Sequence, residues 1–479
     1  MAEDDEWTTK ANDVFNISLV TKSEQGRPKT IDSFQPKWTY PIYEEEEIYG
    51  YRGLKINLRY NASDMRPHFS YTKGKEVPAG VADKEPTEIK ESVEGFLPEV
   101  AFAKKSDFEQ YVQSTPDDWK PPGTLISTSE GKDDTYEIWK GSLADPAVLQ
   151  MVKRIQILVS LFIEGGTPIH TERTEEYEQD PLERWTVFFL YQKRPVQGKP
   201  GQFLYVFAGY ATVYRLYALQ PPNATSALST GDFELPAQND FTEFPCRSRI
   251  SQFIILPPFS KKGNGMRLYR QVYKTLLDDL KTFEITVEDP NEDFDVVRDM
   301  ADLLFLREQA DFKQAVQINT NVDIPRKGAL PKDIVDKKAL EALRMKYKIA
   351  SRQFNRLVEL TCFFKLPDSV RPTLDIEAAG SKTKKSTKAE DHEYSLWKLL
   401  TKSRIYTQNR EILSQLEPDE RIAKLDETVF AVELEYALLL ARYKTRQALQ
   451  AEEQSGGKKR KLSDDDESPS VKKSKTENA

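Results

Sequence analysis

The stretch that most restricts how this chain can fold begins at Arg249. An apolar strand over residues 250–256 stops at Pro257-Pro258, a loop covers residues 259–265, and a helix follows to about Leu280. The helix is read from Met266, Tyr269, Val272, Tyr273, Leu276, Leu277 and Leu280, which recur at helical spacing along one stripe. Phe283, Ile285 and Val287 then alternate as a second strand that stops at Glu288-Asp289-Pro290. A helix from about Asn291 carries Phe294, Val297, Ala301 and Leu304 on one face. Strand, loop, helix, strand and helix in that order make a crossover, parallel or splayed, with a ligand-sized loop at the end of its first strand.

The flanking sequence supplies a sheet for this unit to join. Residues 48–72 alternate through Leu54, Ile56, Leu58 and Tyr60, and Asn61, Ser63 and Asp64 break the alternation into a hairpin. A helix starting near Asp145-Pro146 leads into residues 155–163, whose β-branched content predicts a strand ending at Gly165-Gly166. Residues 185–192 and 203–216 supply long aromatic strands, so the expected class is α+β with a central, mostly antiparallel sheet and flanking helices. Beyond Gln309 no strand pattern recurs, and charged amphipathic helices are expected over about 332–366 and 392–451. Residues 378–391, rich in Lys, Ser, Thr and Ala, are expected to be a mobile linker, and the tail after Glu453 is expected to be disordered. The expected division is a β-rich domain over 1–140, a catalytic domain over 141–310, a helical domain over 311–451 and a tail over 452–479.

Composition narrows the class of partner. In 479 residues no uninterrupted apolar run approaches the ~20 residues of a membrane span, so no membrane is expected. The N-terminus has no apolar signal region, and Cys246 and Cys362 match no disulfide or metal spacing, which points to cytosol or nucleus. His68, His170 and His392 fall in no ligand or nucleophile arrangement, and no metal is expected. The net charge is -8, and residues 454–479 hold seven cations against five acids, which leaves -10 on the rest of the chain. An acidic body repels nucleic-acid phosphate and favours a basic partner, so no direct nucleic-acid contact is expected.

The loop Ser260-Lys261-Lys262-Gly263-Asn264-Gly265 lies between a strand and the start of a helix. Glycine lets backbone amides approach an anion, and a helix start adds partial positive charge, so the loop can receive phosphate. A dinucleotide loop would need a third Gly where Leu268 stands, and a P-loop would need Gly-Lys-Ser/Thr where Gly265-Met266-Arg267 stands; both fail. The loop that remains resembles the Gln/Arg-X-X-Gly-X-Gly/Ala pyrophosphate loop of the GNAT acetyltransferases, with Ser260 in the first position. Arg249-Ile250-Ser251-Gln252-Phe253-Ile254-Ile255-Leu256-Pro257-Pro258-Phe259 and Ile285-Thr286-Val287-Glu288-Asp289-Pro290-Asn291-Glu292 together resemble the signature of the type B histone acetyltransferase catalytic subunits. The likeness extends more weakly from Tyr49-Gly50-Tyr51-Arg52-Gly53-Leu54 to the helices ending near Ala448.

That resemblance implies the GNAT acyl-CoA fold and acetyl transfer from acetyl-CoA to N-terminal tail lysines of newly made histone H4. It implies that Phe253, Ile254 and Ile255 bind the pantetheine arm, that Ser260, Lys261, Lys262, Gly263, Asn264, Gly265 and Met266 hold the pyrophosphate, and that Asn291 touches the cofactor. Glu288 matches the family's general base. It also ends a strand beside the loop and next to Asp289, where a like charge and partial burial would favour a proton acceptor working near neutrality. Glu164 matches a second acidic position and Asp289 is the third candidate. Trp185, Tyr214, Arg215 and Leu216 match positions that pack against the histone tail, and Glu44, Glu45 and Glu46 match an acidic segment that contacts it. A β-propeller histone chaperone is the implied stable partner, and histone H4 is expected together with its own histone partner.

Lys458-Lys459-Arg460-Lys461 and Lys472-Lys473-Ser474-Lys475 read as signals for a nuclear import receptor, so residence in nucleus and cytoplasm is expected. Two rivals set the contrast. A GNAT enzyme acting on another amine has no use for the acidic segment, helical region and basic tail, and a histone-binding scaffold has no use for Glu288, Gly263 and Gly265.

Overall fold

The computed structural model describes residues 7–78, 84–131, 134–174, 176, 178–196, 198–218, 243–325, 331–372, 374 and 385–464. The chain divides into two compact units, 1–298 with 347–350, and 299–346 with 351–479.

The first unit opens with β1 (Thr8–Lys10), one-turn α1 (Ala11–Val14), β2 (Phe15–Thr21), β3 (Lys29–Phe34), β4 (Glu47–Tyr49), β5 (Tyr51–Arg52), β6 (Lys55–Asn61), β7 (Pro67–Thr72) and β8 (Lys75–Glu76). β3-β2-β6-β7 form a four-stranded sheet, with β2 and β6 parallel, and β1-β4 and β5-β8 form short pairs. After α2 (Glu91–Glu94) and α3 (Lys105–Gln113) come β9 (Thr124–Glu130), β10 (Thr135–Ser142), α4 (Pro146–Ile155), α5 (Ile157–Phe162), β11 (Trp185–Pro195) and β12 (Phe203–Tyr217). The crossover follows as β13 (Cys246–Ile255), α6 (Asn264–Asp278), β14 (Thr282–Val287) and α7 (Glu292–Leu306). The central sheet runs β14-β13-β12-β11-β10-β9, antiparallel throughout except for the parallel pair β13 and β14.

Several expectations change here. The boundary at residue 140 falls inside β10, and the two sheets share hydrogen bonds: Phe207 N donates to Ala62 O at 2.8 Å and Tyr191 Oη to Ser63 O at 3.0 Å. Residues 155–163 are not a strand. Asp145 caps α4 by accepting from Ala147 N, and after a break at Gln156 the chain re-enters a helix in α5, where Ile157, Leu158, Val159 and Leu161 are all fully buried. A short apolar run buried on every side carries no periodicity that separates helix from strand. Helix α6 stops at Asp278, so Leu280 leaves the apolar stripe and is 98% exposed.

Residues 347–350 return to the first unit, so the helix expected over 332–366 is interrupted. Ile349 bridges Ile285 in parallel, and Lys348 Nζ donates to Leu277 O and Asp279 O, both at 2.7 Å, satisfying carbonyls at the end of α6.

The second unit is helical: α7 from Asp299 onward, α8 (Ala310–Ala315), α9 (Lys337–Lys346), α10 (Ser351–Lys365), α11 (Lys388–Gln408), α12 (Arg410–Ser414) and α13 (Pro418–Asp464). Its core gathers Phe354, Leu357, Leu360, Phe363, Trp397 and Tyr436. Part of the expected linker is ordered, because Thr387 and Glu390 form a capping box that starts α11; residues 378–384 lie outside the described residues. Part of the expected tail is helical too. Helix α13 runs past Glu453 to Asp464, where Ala, Glu, Gln, Lys and Arg, all strong helix formers, outweigh Gly456 and Gly457. Among the described residues no helix is long and apolar enough to cross a membrane.

Candidate functional site

The site is built where β13 outruns β14. Opposite β13, Ala211 pairs with Phe253 but Val213 pairs with Ile250, so Thr212 faces both Ser251 and Gln252 across a one-residue bulge. Gln252 N donates to Thr212 Oγ1 at 3.0 Å and Leu256 N to Ala208 O at 2.9 Å. Alternation from Leu256 turns the backbone of Ile254 toward β12 and that of Phe253 and Ile255 toward the opposite edge. There β14 pairs only as far as Ile250 with Val287, Glu288 N closes the ladder on Ile250 O at 2.9 Å, and the chain turns away at Asp289, whose φ is 32°. The two strands therefore part, and the Phe253–Ile255 edge faces the gap. Gly209 is needed across from it: a Cβ there would stand 2.3 Å from Ile254 O.

The loop after β13 is held by its own side chains. Following a 3-10 turn at Pro257–Phe259, Lys261 and Gly263 adopt φ of 61° and 78°, and Gly263 caps α6 without a side-chain bond. Asn264 is buried and structural: its Nδ2 donates to Phe259 O at 3.0 Å while its Oδ1 accepts from Arg267, whose guanidinium lies 4.5 Å from the Tyr136 ring centre. Ser260 Oγ donates to Ile255 O and Leu256 O, both at 3.4 Å. Lys261 and Lys262 are exposed, and Met266 lies in the first turn of α6. Gly265 also meets a neighbouring helix. It lies inside α6, and its Cβ would point toward Val297 on α7 at 3.5 Å, so a larger side chain meets α7. Asn291 caps α7, accepting from Phe294 N at 2.9 Å, and Phe294 packs on Phe253 with ring centres 5.0 Å apart.

On the sheet itself, register lines up a row across four strands: Trp185 opposite Tyr214, Tyr214 opposite Arg249, Arg249 opposite Thr286. Side chains in register share a face. The Trp185 and Tyr214 rings lie 4.8 Å apart, Arg184 Nη1 donates to Tyr214 Oη at 3.3 Å, and Arg249 Nη2 stands 3.5 Å from Glu288 Oε1. Glu288 is 41% exposed and paired with a cation, in addition to lying next to Asp289 in the chain. Leu216 shares the face of Tyr214. Arg215, between them, projects to the other face and pairs with Asp279 at 3.2 Å, so it does not join the aromatic pair.

A third piece comes from outside the crossover. Lys37 N and Trp38 N donate to Leu161 O at 2.9 and 3.1 Å, and Gly165 N donates to Tyr40 Oη at 2.7 Å. On its other side Gln252 Nε2, from the bulge, donates to Thr167 O at 3.0 Å. Glu164, exposed at the end of α5, is therefore held between residues 37–46 and β13. Glu44 and Glu45 are exposed as well. Glu46 is not equivalent to them: its Oε1 accepts from Thr39 N at 2.8 Å and from Asn12 Nδ2 at 3.1 Å, closing a turn in which Glu45 and Glu46 have φ of 52° and 58°. Arg249, Gly209 and Gln252 have no local sequence signal and emerge from register and the bulge, and Tyr40 emerges from its hydrogen bond to Gly165. Among the described residues no cluster of His, Cys, Asp or Glu is placed to hold a metal, and Cys246 and Cys362 are free and buried.

Known proteins resemble this chain along its length. A family model described as histone acetyl transferase HAT1 N-terminus matches residues 7–164, and one described as fungal HAT1, C-terminal, matches residues 326–366. The histone acetyltransferase type B catalytic subunit of Neurospora crassa is 46% identical over 92% of this chain and 89% of its own length. That of Gibberella zeae is 45% identical over 100% of both, and that of Aspergillus oryzae 38% identical over 95% and 90%. The chain is therefore an acetyltransferase. It belongs to the type B histone acetyltransferase catalytic subunits.

Proposed function

We propose that this enzyme, built on the GNAT fold, acetylates N-terminal tail lysines of free, newly synthesised histone H4 by direct attack, with Glu288 taking the lysine proton. The observation that carries the reading is the cross-strand row: it runs from the Trp185 and Tyr214 rings to Glu288 at the point where β13 and β14 part.

Acetyl-CoA supplies an acetyl group activated as a thioester, and the chain has the groups to hold it. The outward backbone of Phe253 and Ile255, with Ile254 between them, suits the amides of a pantetheine arm. The backbone of Ser260, Lys261, Lys262, Gly263, Asn264, Gly265 and Met266 suits a pyrophosphate, because the first turn of a helix leaves amides without intrahelical acceptors and both lysines add charge. Asn291 adjoins this region as the cap of α7. The aromatic pair offers an apolar wall to the lysine stem, Leu216 extends that wall, and Glu288 accepts the ammonium proton directly or through one water. Glu164, tethered to β13 through Thr167, is the second candidate, and Asp289, held in the turn, is the third. Glu44 and Glu45 draw a basic tail toward the site.

The partners in this reading are H4 with its histone partner, a β-propeller chaperone subunit and an import receptor, with residence in nucleus and cytoplasm. The first basic cluster, Lys458 to Lys461, lies on α13; the second, at 472–475, lies outside the described residues. Assay of the purified enzyme on free H4 and on nucleosomes tests the substrate: free H4 is expected to be acetylated at least tenfold faster at equal concentration, roughly the 1.4 kcal/mol of a modest preference. Equal rates would overturn the reading. Deleting residues 454–479 is expected to move the protein toward the cytoplasm and leave activity in vitro intact, and a truncation that stays nuclear would mean import with a partner.

A further inference from the structure

Buried polar atoms nearly always have hydrogen-bond partners, so those without one mark places where something else supplies it. Three such atoms lie in the same cross-strand row: Trp185 Nε1, Arg249 Nε and Thr286 Oγ1. A fourth, Ser251 Oγ, sits two residues beyond Arg249. The first two can only donate, and the hydroxyl can donate or accept. Arg249 meanwhile pairs its Nη2 with Glu288 at 3.5 Å, so its own charge is balanced, while Arg184 gives Nη1 to the Tyr214 hydroxyl at the far side of the row. A main-chain carbonyl or amide demands only a donor or an acceptor. Neighbouring strands lie about 4.8 Å apart, so a row from β11 to β14 covers roughly 14 Å. That is the length of about four extended residues.

We propose that Trp185, Arg249 and Thr286 hold the main chain of the lysine-bearing peptide, laid across the strands, and that Arg249 is also a positioning residue. One edge of its guanidinium, at Nε, grips a peptide group while Nη2 keeps Glu288 over the end of β13. Seating of the peptide and placement of the proton acceptor then share one side chain. This inference rests on the assignment of Glu288 proposed above and adds main-chain recognition to it. It also accounts for the chain keeping these polar groups of the row unpaired, since such groups cost stability in the free protein.

Thr286→Val, Arg249→Lys, Arg249→Met, Glu288→Gln and the double variant Arg249→Met/Glu288→Gln test it, each measured for kcat, for KM of an H4 tail peptide and of acetyl-CoA, and for melting temperature. Thr286→Val removes an unpaired hydroxyl with little change of shape. It is expected to melt no lower than the parent while KM for the peptide rises about fivefold, the worth of one hydrogen bond, with KM for acetyl-CoA unchanged. Arg249→Lys keeps the charge and loses Nε, so it should raise peptide KM similarly and retain most of kcat. Arg249→Met should lose kcat as well, and in the double variant the loss should not exceed that of Glu288→Gln alone. Unchanged peptide KM in Thr286→Val and Arg249→Lys, or a Thr286→Val protein that melts lower, would overturn the peptide row. Losses that multiply in the double variant would overturn the positioning role. Full activity in Glu288→Gln would remove the proton-acceptor assignment and the positioning role with it, while the row would still stand or fall on peptide KM.

Discussion

Arginine and carboxylate meet in both units of this molecule, and burial decides what each meeting is for. On the sheet, Arg249 and Glu288 are 35% and 41% exposed and 3.5 Å apart. In the helical unit, Glu359 and Arg404 pair at 2.8 Å with the carboxylate 2% exposed, and Tyr436 Oη also donates to Glu359 at 3.3 Å. Nearby, Asp299 is fully buried, accepting from Arg356 Nε at 2.7 Å and Gln353 Nε2 at 2.9 Å. The exposed pair costs little to open and leaves a carboxylate free to exchange partners with a substrate. The buried pair is locked by several hydrogen bonds and opens only when the unit does. A carboxylate that must accept a proton and release it belongs to the first kind.

The largest effect that sharpens this contrast is catalytic. Glu288→Gln should lower kcat by roughly 10² to 10⁴, the usual contribution of a general base, with KM for acetyl-CoA nearly unchanged and no change in melting temperature. If Glu164→Gln gives that loss and Glu288→Gln does not, the two carboxylates exchange roles. Mutating the buried pair should do the reverse. Arg404→Met leaves the buried Glu359 carboxyl without its main donor, so the helical unit should lose about 1–3 kcal/mol by denaturant titration. A loss below about 1 kcal/mol would make the buried pair no different from a surface one.

Smaller, and opposite in sign to common intuition, is the pH response of Glu359. Burial pushes its carboxyl up to about 7 from the usual 4.5, outweighing the pull of Arg404. The folded unit therefore prefers the protonated form more strongly than the unfolded chain does. The stability that follows is fully present below about 4.5 and is lost as pH rises through about 7, at most roughly 3 kcal/mol. Glu359→Gln should remove that dependence. Identical pH-stability curves for parent and variant between pH 5 and 8 would mean that Arg404 and Tyr436 fully offset the burial.

How much of this was legible in the sequence depends on the range of the signals. The crossover was, because α6 and α7 carry helical stripes and β14 alternates; these are local patterns closed off by Pro257, Pro258 and Pro290. The start of α11 has an equally local signal, a Thr387-Glu390 capping box, but the low-complexity composition of residues 378–391 points to a linker instead and masks it. Helix α5 was not legible, since a run buried on all sides has no polar face to set a period. The site residues split in the same way. Glu288 and the loop stand out from their neighbours in sequence. The role of Arg249 depends on a register that joins residues 185, 214, 249 and 286, and on a bulge that no local pattern reports. Glu46 shows the converse: it is identical in type to Glu44 and Glu45, yet its carboxylate is spent on Thr39 and Asn12.

That difference within one acidic run yields the smallest and most discriminating prediction. Glu44 and Glu45 are exposed, so their effect on a basic tail is a screened attraction that acts within about 8 Å at physiological ionic strength. Replacing both by Gln should raise the peptide KM by only a few-fold, leave kcat unchanged and flatten the dependence of KM on salt. Glu46→Ala should act differently. The backbone amide of Thr39 and the side chain of Asn12 lose their acceptor, which costs about 1–3 kcal/mol of stability where such groups are partly buried. The turn that carries Glu44 and Glu45 then loosens, along with the Tyr40 contact to Gly165, so any rise in KM for Glu46→Ala should come with a lower melting temperature, and added salt should not reproduce it. If all three substitutions instead give the same salt-dependent rise in KM at unchanged stability, Glu46 faces the tail like its neighbours, and the hydrogen bonds to Thr39 and Asn12 are not what holds the segment.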